Sequence, residues 1–294
     1  MTRPRILLIG SAGQLGFELA RVLPACGEVV ALDHATLDLA DADAVVAAVR
    51  GARPGLIVNA AAYTAVDRAE SEPGQADAIN ARAPGILAEE AKRAGAILIH
   101  YSTDYVFDGE ATAAYDEQAV PRPINAYGRS KLGGERAIAA AGGPSLVLRT
   151  SWVYGLRGQN FLTTMRRLAA ERDELRVVAD QIGTPNWTRS LADATAVLVG
   201  RGTSELAERA GLYHLSASGS TSWFDFARAI FAGADRPRVV PITSAEYPSA
   251  ARRPRRSVLA SGKFADTFGF ALPPWDEMLH ACLACAHPGC ADSR

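Results

Sequence analysis

The sequence has few cysteines, no long apolar run and almost no net charge, and each shortage removes a class of protein. Four cysteines in 294 residues cannot staple a chain of this size, so a disulfide scaffold is excluded. Three of them, Cys282, Cys285 and Cys290, crowd the C-terminal end beside His280 and His287. These are soft ligands, but structural zinc sites usually pair two such knuckles, and the expectation is a terminal helix with no metal. No apolar stretch approaches the ~20 residues of a membrane span. The basic opening Met1 to Arg5 precedes only Ile6-Leu7-Leu8-Ile9 before Gly10, too short for a signal peptide, so a cytoplasmic protein is expected. A net charge of -1 leaves no electrostatic footprint for nucleic acid or an acidic membrane. The run Arg252-Arg253-Pro254-Arg255-Arg256 is too short to reverse that conclusion. No internal repeat is present.

What is present is a soluble globular composition and a regular alternation of short apolar runs with helical patterns. Arg5 to Ile9 reads as a buried parallel strand, and it runs into Gly10-Ser-Ala12-Gly13-Gln14-Leu15-Gly16 and an apolar helix through Leu23. Strand, glycine turn and helix place backbone amides and a positive helix end where a dinucleotide pyrophosphate can sit. A second strand, Val29 to Leu32, ends at Asp33, an acidic residue suited to adenosine ribose hydroxyls and hostile to a 2′-phosphate, which leans towards NADH. Asp38-Leu39 either meets the adenine or caps a helix from Asp41 to Val49. A third strand, Leu56 to Asn59, feeds the small-residue loop Ala60-Ala61-Ala62-Tyr63, and a helix from Gln75 to Ala94 follows, broken at Ala83-Pro84. Asn80 within it is either an anchor or exposed. The fourth strand, Ile97 to Tyr101, leads to Ser102-Thr103-Asp104, and the fifth is Ser145 to Thr150.

The stretch Tyr127-Gly128-Arg129-Ser130-Lys131 sits at the mouth of a further helix, and its phenol and ammonium are one helical turn apart on one face. A lysine cation and a helix N-terminus both favour a phenolate, which would lower the Tyr127 pKa and make it a usable acid or base. Thr103, at the carboxyl end of the fourth strand, falls where such a phenol needs a partner.

These residues resemble the extended short-chain dehydrogenase/reductase superfamily. More narrowly, Asn59 to Asp67, Tyr101 to Gly109, Tyr127 to Glu135, Arg149 to Tyr154 and Asp180 to Pro185 resemble blocks of the dTDP-4-dehydrorhamnose reductases. The resemblance implies reduction, by NADPH or NADH, of the 4-keto group of a dTDP-linked 4-keto-6-deoxysugar. Thr103, Tyr127 and Lys131 would be catalytic. Gly10, Ala12, Gly13, Gln14, Leu15, Gly16, Asp33, Asp38, Leu39, Ala61, Ala62 and Tyr63 would hold the cofactor with Tyr127 and Lys131. Thr103, Asp104, Trp152, Asn160 and Arg253 would meet the substrate, Arg253 at its diphosphate. Related dehydratases carry Asp-Glu after the threonine; here Tyr105 takes the second place and disfavours dehydration.

The expected fold is α/β, a Rossmann-type doubly wound parallel sheet with a smaller C-terminal α/β substrate-binding domain. The cofactor domain is taken as 1–155 and the substrate domain as 156–294, with a helix near 191–199 and a strand near 211–216 returning to the first. Family members form metal-linked dimers through glutamates: Glu18 matches one position but Arg189 replaces another, so Mg2+ is doubtful and the chain is expected as a monomer or homodimer. A non-catalytic regulatory subunit and a reductase or epimerase of another nucleotide-linked ketosugar remain as alternatives.

Overall fold

The first strand shows how the layers arise. In β1 (Arg5–Ile9) the side chains alternate across the sheet: Ile6 and Leu8 enter one apolar cluster, Leu7 and Ile9 another. The run is apolar throughout because both faces are covered, and each such buried side chain is worth about 1.5–3 kcal/mol. The computed structural model describes residues 3–286. β1 pairs in parallel with β2 (Glu28–Leu32) on one side and β3 (Leu56–Asn59) on the other. β4 (Ile97–Thr103), β5 (Ser145–Thr150) and the strand Gly211–His214 follow in order, giving a six-stranded, wholly parallel sheet. The order reverses between β1 and β3, and the loops that leave their carboxyl ends flank a crevice suited to a ligand.

Helices cover both faces. Leu15 and Leu19 of α1 (Gln14–Val22) pack with Leu191, Ala194 and Leu198 of the helix Thr188–Gly200 on one side. Val45, Val49, Leu87, Ala91 and Ile138, from the helices Ala42–Ala52, Ala83–Ala94 and Ala126–Ala141, cover the other. Proline does not break the helix before β4. A π-helical turn, Ala78–Arg82, precedes Pro84, which then falls in the first turn of the next segment, where its missing N–H and ring cost little.

A second cluster gathers Tyr154, Leu162, Leu175, Trp187, Phe226 and Met278 around a parallel pair of strands, Glu174–Val178 and Arg238–Ile242. The helices Phe161–Glu171, Trp223–Ile230 and Trp275–Cys285 surround it. Cys282 is fully buried there and its thiol is pushed up to about 12, chiefly by that burial. Two residues of that candidate ligand set, His287 and Cys290, lie outside the described residues. Among the described residues no helix is long and apolar enough to cross a membrane.

Candidate active site

Two clefts open on the carboxyl side of the sheet and meet at Tyr105 and Trp223, which line both. The smaller, about 620 Å³, begins at the glycine turn. Gly13 precedes α1 with no side-chain cap, so the amides of the first turn are left for an anion. Gly16 keeps the turn tight: a Cβ there would lie 1.9 Å from the Gly10 carbonyl oxygen. Gly10, Ala12, Gly13, Gln14, Leu15, Asp33, Leu39, Ala61 and Ala62 all line this cleft, together with Thr103, Asp104, Tyr127, Lys131 and Trp152. Gly16 stands behind it and shapes the turn.

Three cofactor expectations are altered by local geometry. Asp38 is exposed and its carboxylate accepts from Ala40 N, while the cap of the helix Ala42–Ala52 is Asp41, accepting from Ala44 N at 3.0 Å. Tyr63 turns its phenol away to Glu72, 2.6 Å distant, and packs among Ala69, Ala76 and Ala126. Asp33 faces the cleft, but its Oδ1 already braces the turn by accepting from Ala35 N, Thr36 N and Thr36 Oγ1. The Thr36 contacts hold that carboxyl below its usual range.

The helix Ala126–Ala141 carries Tyr127 and Lys131, and its start is fixed from two sides. Asn125 caps it, accepting from Gly128 N at 2.7 Å, and donates to the Arg252 carbonyl at 2.8 Å. Asn80 is a buried anchor: its amide accepts from Tyr63 N and donates to Ser130 Oγ, which in turn donates to the Tyr127 carbonyl. The Tyr127 phenol stands beside the Thr103 hydroxyl, close enough for it to favour the phenolate. Thr103 Oγ1 donates to Asp104 Oδ1 at 3.0 Å and accepts from Tyr105 N.

The Tyr127 pKa moves opposite to the sequence expectation. Burial pushes the phenol up to about 12, the Thr103 hydroxyl offsetting only part of that rise. Lys131 is itself buried, and its Nζ donates to the Tyr101 carbonyl at 2.6 Å, with His100 Nε2 at 3.3 Å. Desolvation lowers the amine to about 8. Behind it, Asn59 Oδ1 accepts from Ala61 N, which turns its amide NH2 towards His100 Nδ1 at 3.1 Å. A neutral phenol at neutral pH is the form a proton donor requires.

The larger cleft, about 1690 Å³, is bounded by Arg172, Arg176, Tyr247, Arg252, Arg253 and Arg255 among others. Arg253 lies at its wall, and its fork is held by Asp67, with both Nη–Oδ distances 2.6 Å. Asn160 is not available to a substrate. Its Oδ1 caps the helix Phe161–Glu171 by accepting from Thr163 N, and its Nδ2 donates to Gln14 Oε1 and Gly155 O. Trp152 is at the site in a left-handed backbone conformation, φ 43°, uncommon for a bulky residue, and its indole stacks on Trp223 at 3.5 Å between centroids. Trp187 is a core residue. Glu18 is taken by Arg189, whose Nε lies 2.7 Å from its Oε2. No cluster of three metal-ligating side chains occurs among the described residues.

Trp223 and Ser257 were not legible as site residues, and Tyr105 was read only as the residue that takes the place of a dehydratase glutamate. Trp223 follows a helix cap, which is what the sequence signals; only the folded chain lays it on Trp152. Ser257 brings its hydroxyl near the Asp104 carboxyl from a loop far along the chain.

A parallel sheet with a glycine turn after β1, a threonine ending β4 and a Tyr-x-x-x-Lys helix beside it defines a nucleotide-binding oxidoreductase of the short-chain dehydrogenase/reductase class. The chain belongs to the family described as the RmlD substrate binding domain, whose model matches residues 4–287. It is 46% identical over 291 residues to a dTDP-4-dehydrorhamnose reductase of Burkholderia thailandensis, covering 95% of this chain and 98% of that one. It is 42% identical over 294 residues to a Streptomyces antibioticus protein named "Probable dTDP-4,6-dihydroxy-2-methyloxan-3-one 4-ketoreductase", covering 97% of each. A crystal structure of the Bacillus anthracis dTDP-4-dehydrorhamnose reductase in complex with NADP superposes with a TM-score of 0.90 at 38% identity, covering 97% of this chain and 99% of that one.

Proposed function

We propose that this chain reduces the 4-keto group of dTDP-4-dehydro-6-deoxy-L-mannose (dTDP-4-dehydro-L-rhamnose) to dTDP-L-rhamnose, in the cytoplasm, with NADPH or NADH. The observation that carries the reading is the placement of Thr103 and Tyr127 side by side in the smaller cleft, against Tyr105, which lines both clefts. The smaller cleft fits a dinucleotide: its glycine turn presents uncapped amides, Asp33 closes the ribose end and Lys131 lines the wall one helical turn after Tyr127. When bound there, the nicotinamide supplies the hydride. Tyr127 delivers its proton to the ketone oxygen as charge develops, and Thr103 steadies that oxygen by a hydrogen bond. Lys131 holds the nicotinamide ribose. Residues 1–155 serve the cofactor and 156–294 the substrate, with Trp152, Trp223 and Tyr105 supplying flat faces to the sugar and Arg253 a cation to the diphosphate.

The Streptomyces relative favours a second reading, in which the same site reduces another dTDP-linked ketosugar. Incubation of the protein with the 4-keto-L-rhamnose nucleotide and each cofactor, followed by identification of the sugar formed, separates the two. Cofactor oxidation that yields dTDP-L-rhamnose supports the first; no oxidation with that substrate overturns it.

A further inference from the structure

We propose that Asp104 is the proton reservoir of Tyr127, recharging the phenol through the Thr103 hydroxyl after the phenol's proton has gone to the substrate. The proposal rests on the reductase reading above. A tyrosinate left in this cleft is poorly solvated and must regain a proton. Lys131 is badly placed to supply one, because its Nζ is engaged by the Tyr101 carbonyl at 2.6 Å and faced by His100. The other side offers a route: the Tyr127 phenol stands beside the Thr103 hydroxyl, whose Oγ1 lies 3.0 Å from Asp104 Oδ1, and the Ser257 hydroxyl is near the same carboxyl.

Asp104 is only 2% exposed, lines the cofactor cleft, and its Oδ2 is buried with no hydrogen-bond partner. An ionised carboxylate would leave that oxygen bare, whereas a carboxylic acid tolerates the site. Burial accordingly pushes the carboxyl up to about 7. The groups facing it are Tyr105 on the turn that follows, Tyr127 on the catalytic helix and Ser257 on the loop behind; Arg253 reaches it only by way of the Tyr105 phenol. In the step, the Asp104 proton passes to Thr103 Oγ1 while the Thr103 proton passes to the Tyr127 oxygen. Tyr127 and Thr103 end neutral and Asp104 ends ionised, to be reprotonated by water from the cleft. Only O–H bonds break and form, and no electron moves.

Asp104→Asn keeps the shape and the contact with Thr103 but holds no acid. Its kcat should fall roughly tenfold to a hundredfold near pH 6 and approach the wild-type value at high pH, where Asp104 of the wild type is already ionised. A deficit of equal size at every pH, or one confined to KM, assigns Asp104 to structure or to sugar binding and overturns the relay. Ser257→Ala removes a nearby hydroxyl that favours the ionised form, so the descending limb of the wild-type kcat profile should move to higher pH; an unmoved limb also overturns it. A third measurement uses the free enzyme. A protonated-carboxyl infrared band that titrates near neutrality and is missing in Asp104→Asn is expected, and its absence from wild type near pH 6 sinks the relay whichever sugar is reduced. Failure of wild type to reduce any nucleotide ketosugar would instead remove the reductase reading, with the infrared titration unaffected.

Discussion

Asp67 and Arg253 meet in a two-pronged ion pair that ties the loop after β3 to the arginine-rich loop at the wall of the larger cleft, each N–O distance 2.6 Å. The paired hydrogen bonds hold the Asp67 carboxyl down at about 2. The contact fixes the guanidinium in one orientation, with a further bond to the Ala251 carbonyl and a reach to Tyr105. If Arg253 holds the diphosphate equally in ground and transition states, Arg253→Ala should raise KM roughly tenfold to a hundredfold with kcat near normal. Asp67→Asn loses the charge and loosens the fork, so KM should rise several-fold, by less than in the arginine variant. A fall in KM would show instead that Asp67 competes with the diphosphate, and an unchanged KM in Arg253→Ala would leave the diphosphate to other residues of the cleft.

Tyr127→Phe keeps the ring, including its edge contact with Tyr105 at 5.6 Å, and removes only the hydroxyl. The expected result is a loss of roughly a hundredfold or more in kcat with the melting temperature unchanged. Near-normal turnover would place the proton donor elsewhere. Because burial raises this phenol to about 12, it stays protonated across the neutral range, and its own ionisation should not shape the pH profile there.

The sheet was legible because each of its strands is a short apolar run ending at a turn, and a buried parallel strand has little freedom to look otherwise: Leu56–Asn59 and Ser145–Thr150 have the ends the sequence implies. The pair Tyr127 and Lys131 was equally legible, since helical spacing fixes which side chains share a face. What spacing does not carry is direction and company. It put Lys131 beside the phenol, whereas the Tyr101 carbonyl and His100 draw the amine into the sheet. The resemblance offered Asn160 to the sugar, whereas the helix that begins at Phe161 takes its oxygen as a cap and Gln14 takes its NH2. The sequence offered Asp38 as the cap of a helix starting at Asp41, and the backbone of the turn gives that cap to Asp41 itself.

Asp33 supports a prediction on cofactor choice. It stands at the end of β2 with His34 next to it and no arginine adjacent, so a 2′-phosphate would meet a negative charge, and NADH should be used at least as well as NADPH. Asp33→Asn is the informative change, since an amide oxygen still accepts from Ala35 N and Thr36 N and keeps the turn. The ratio of kcat/KM for NADPH over that for NADH should rise several-fold in the variant. A ratio unmoved by the substitution would mean that the carboxylate is spent on the turn alone and that the ribose end is read by other residues.

The last prediction concerns the ion pair beneath the catalytic strand. Arg149 and Glu135 are almost wholly buried, 2% and 8% exposed, and are joined by two hydrogen bonds, 2.8 and 2.6 Å. Glu135 also accepts from Ser102 Oγ at 2.5 Å, and the guanidinium lies over the Phe107 ring. Ser102 is the residue before Thr103, so the pair braces the end of β4 from behind, while Glu135 sits one turn past Lys131 on the catalytic helix and its charge favours the lysine cation. Glu135→Leu strips the arginine of its partner without removing its charge, and an uncompensated buried cation costs about 3–5 kcal/mol. The melting temperature should fall by several degrees or more, and kcat should fall with it as Thr103 and Lys131 lose their common support. Replacing both residues by apolar ones of similar volume should recover much of the stability, because no bare charge then remains, but not the kcat, since the bond to Ser102 is still missing. Recovery of both would show that the pair serves folding alone, and a Glu135→Leu protein as stable as wild type would mean that water reaches Arg149.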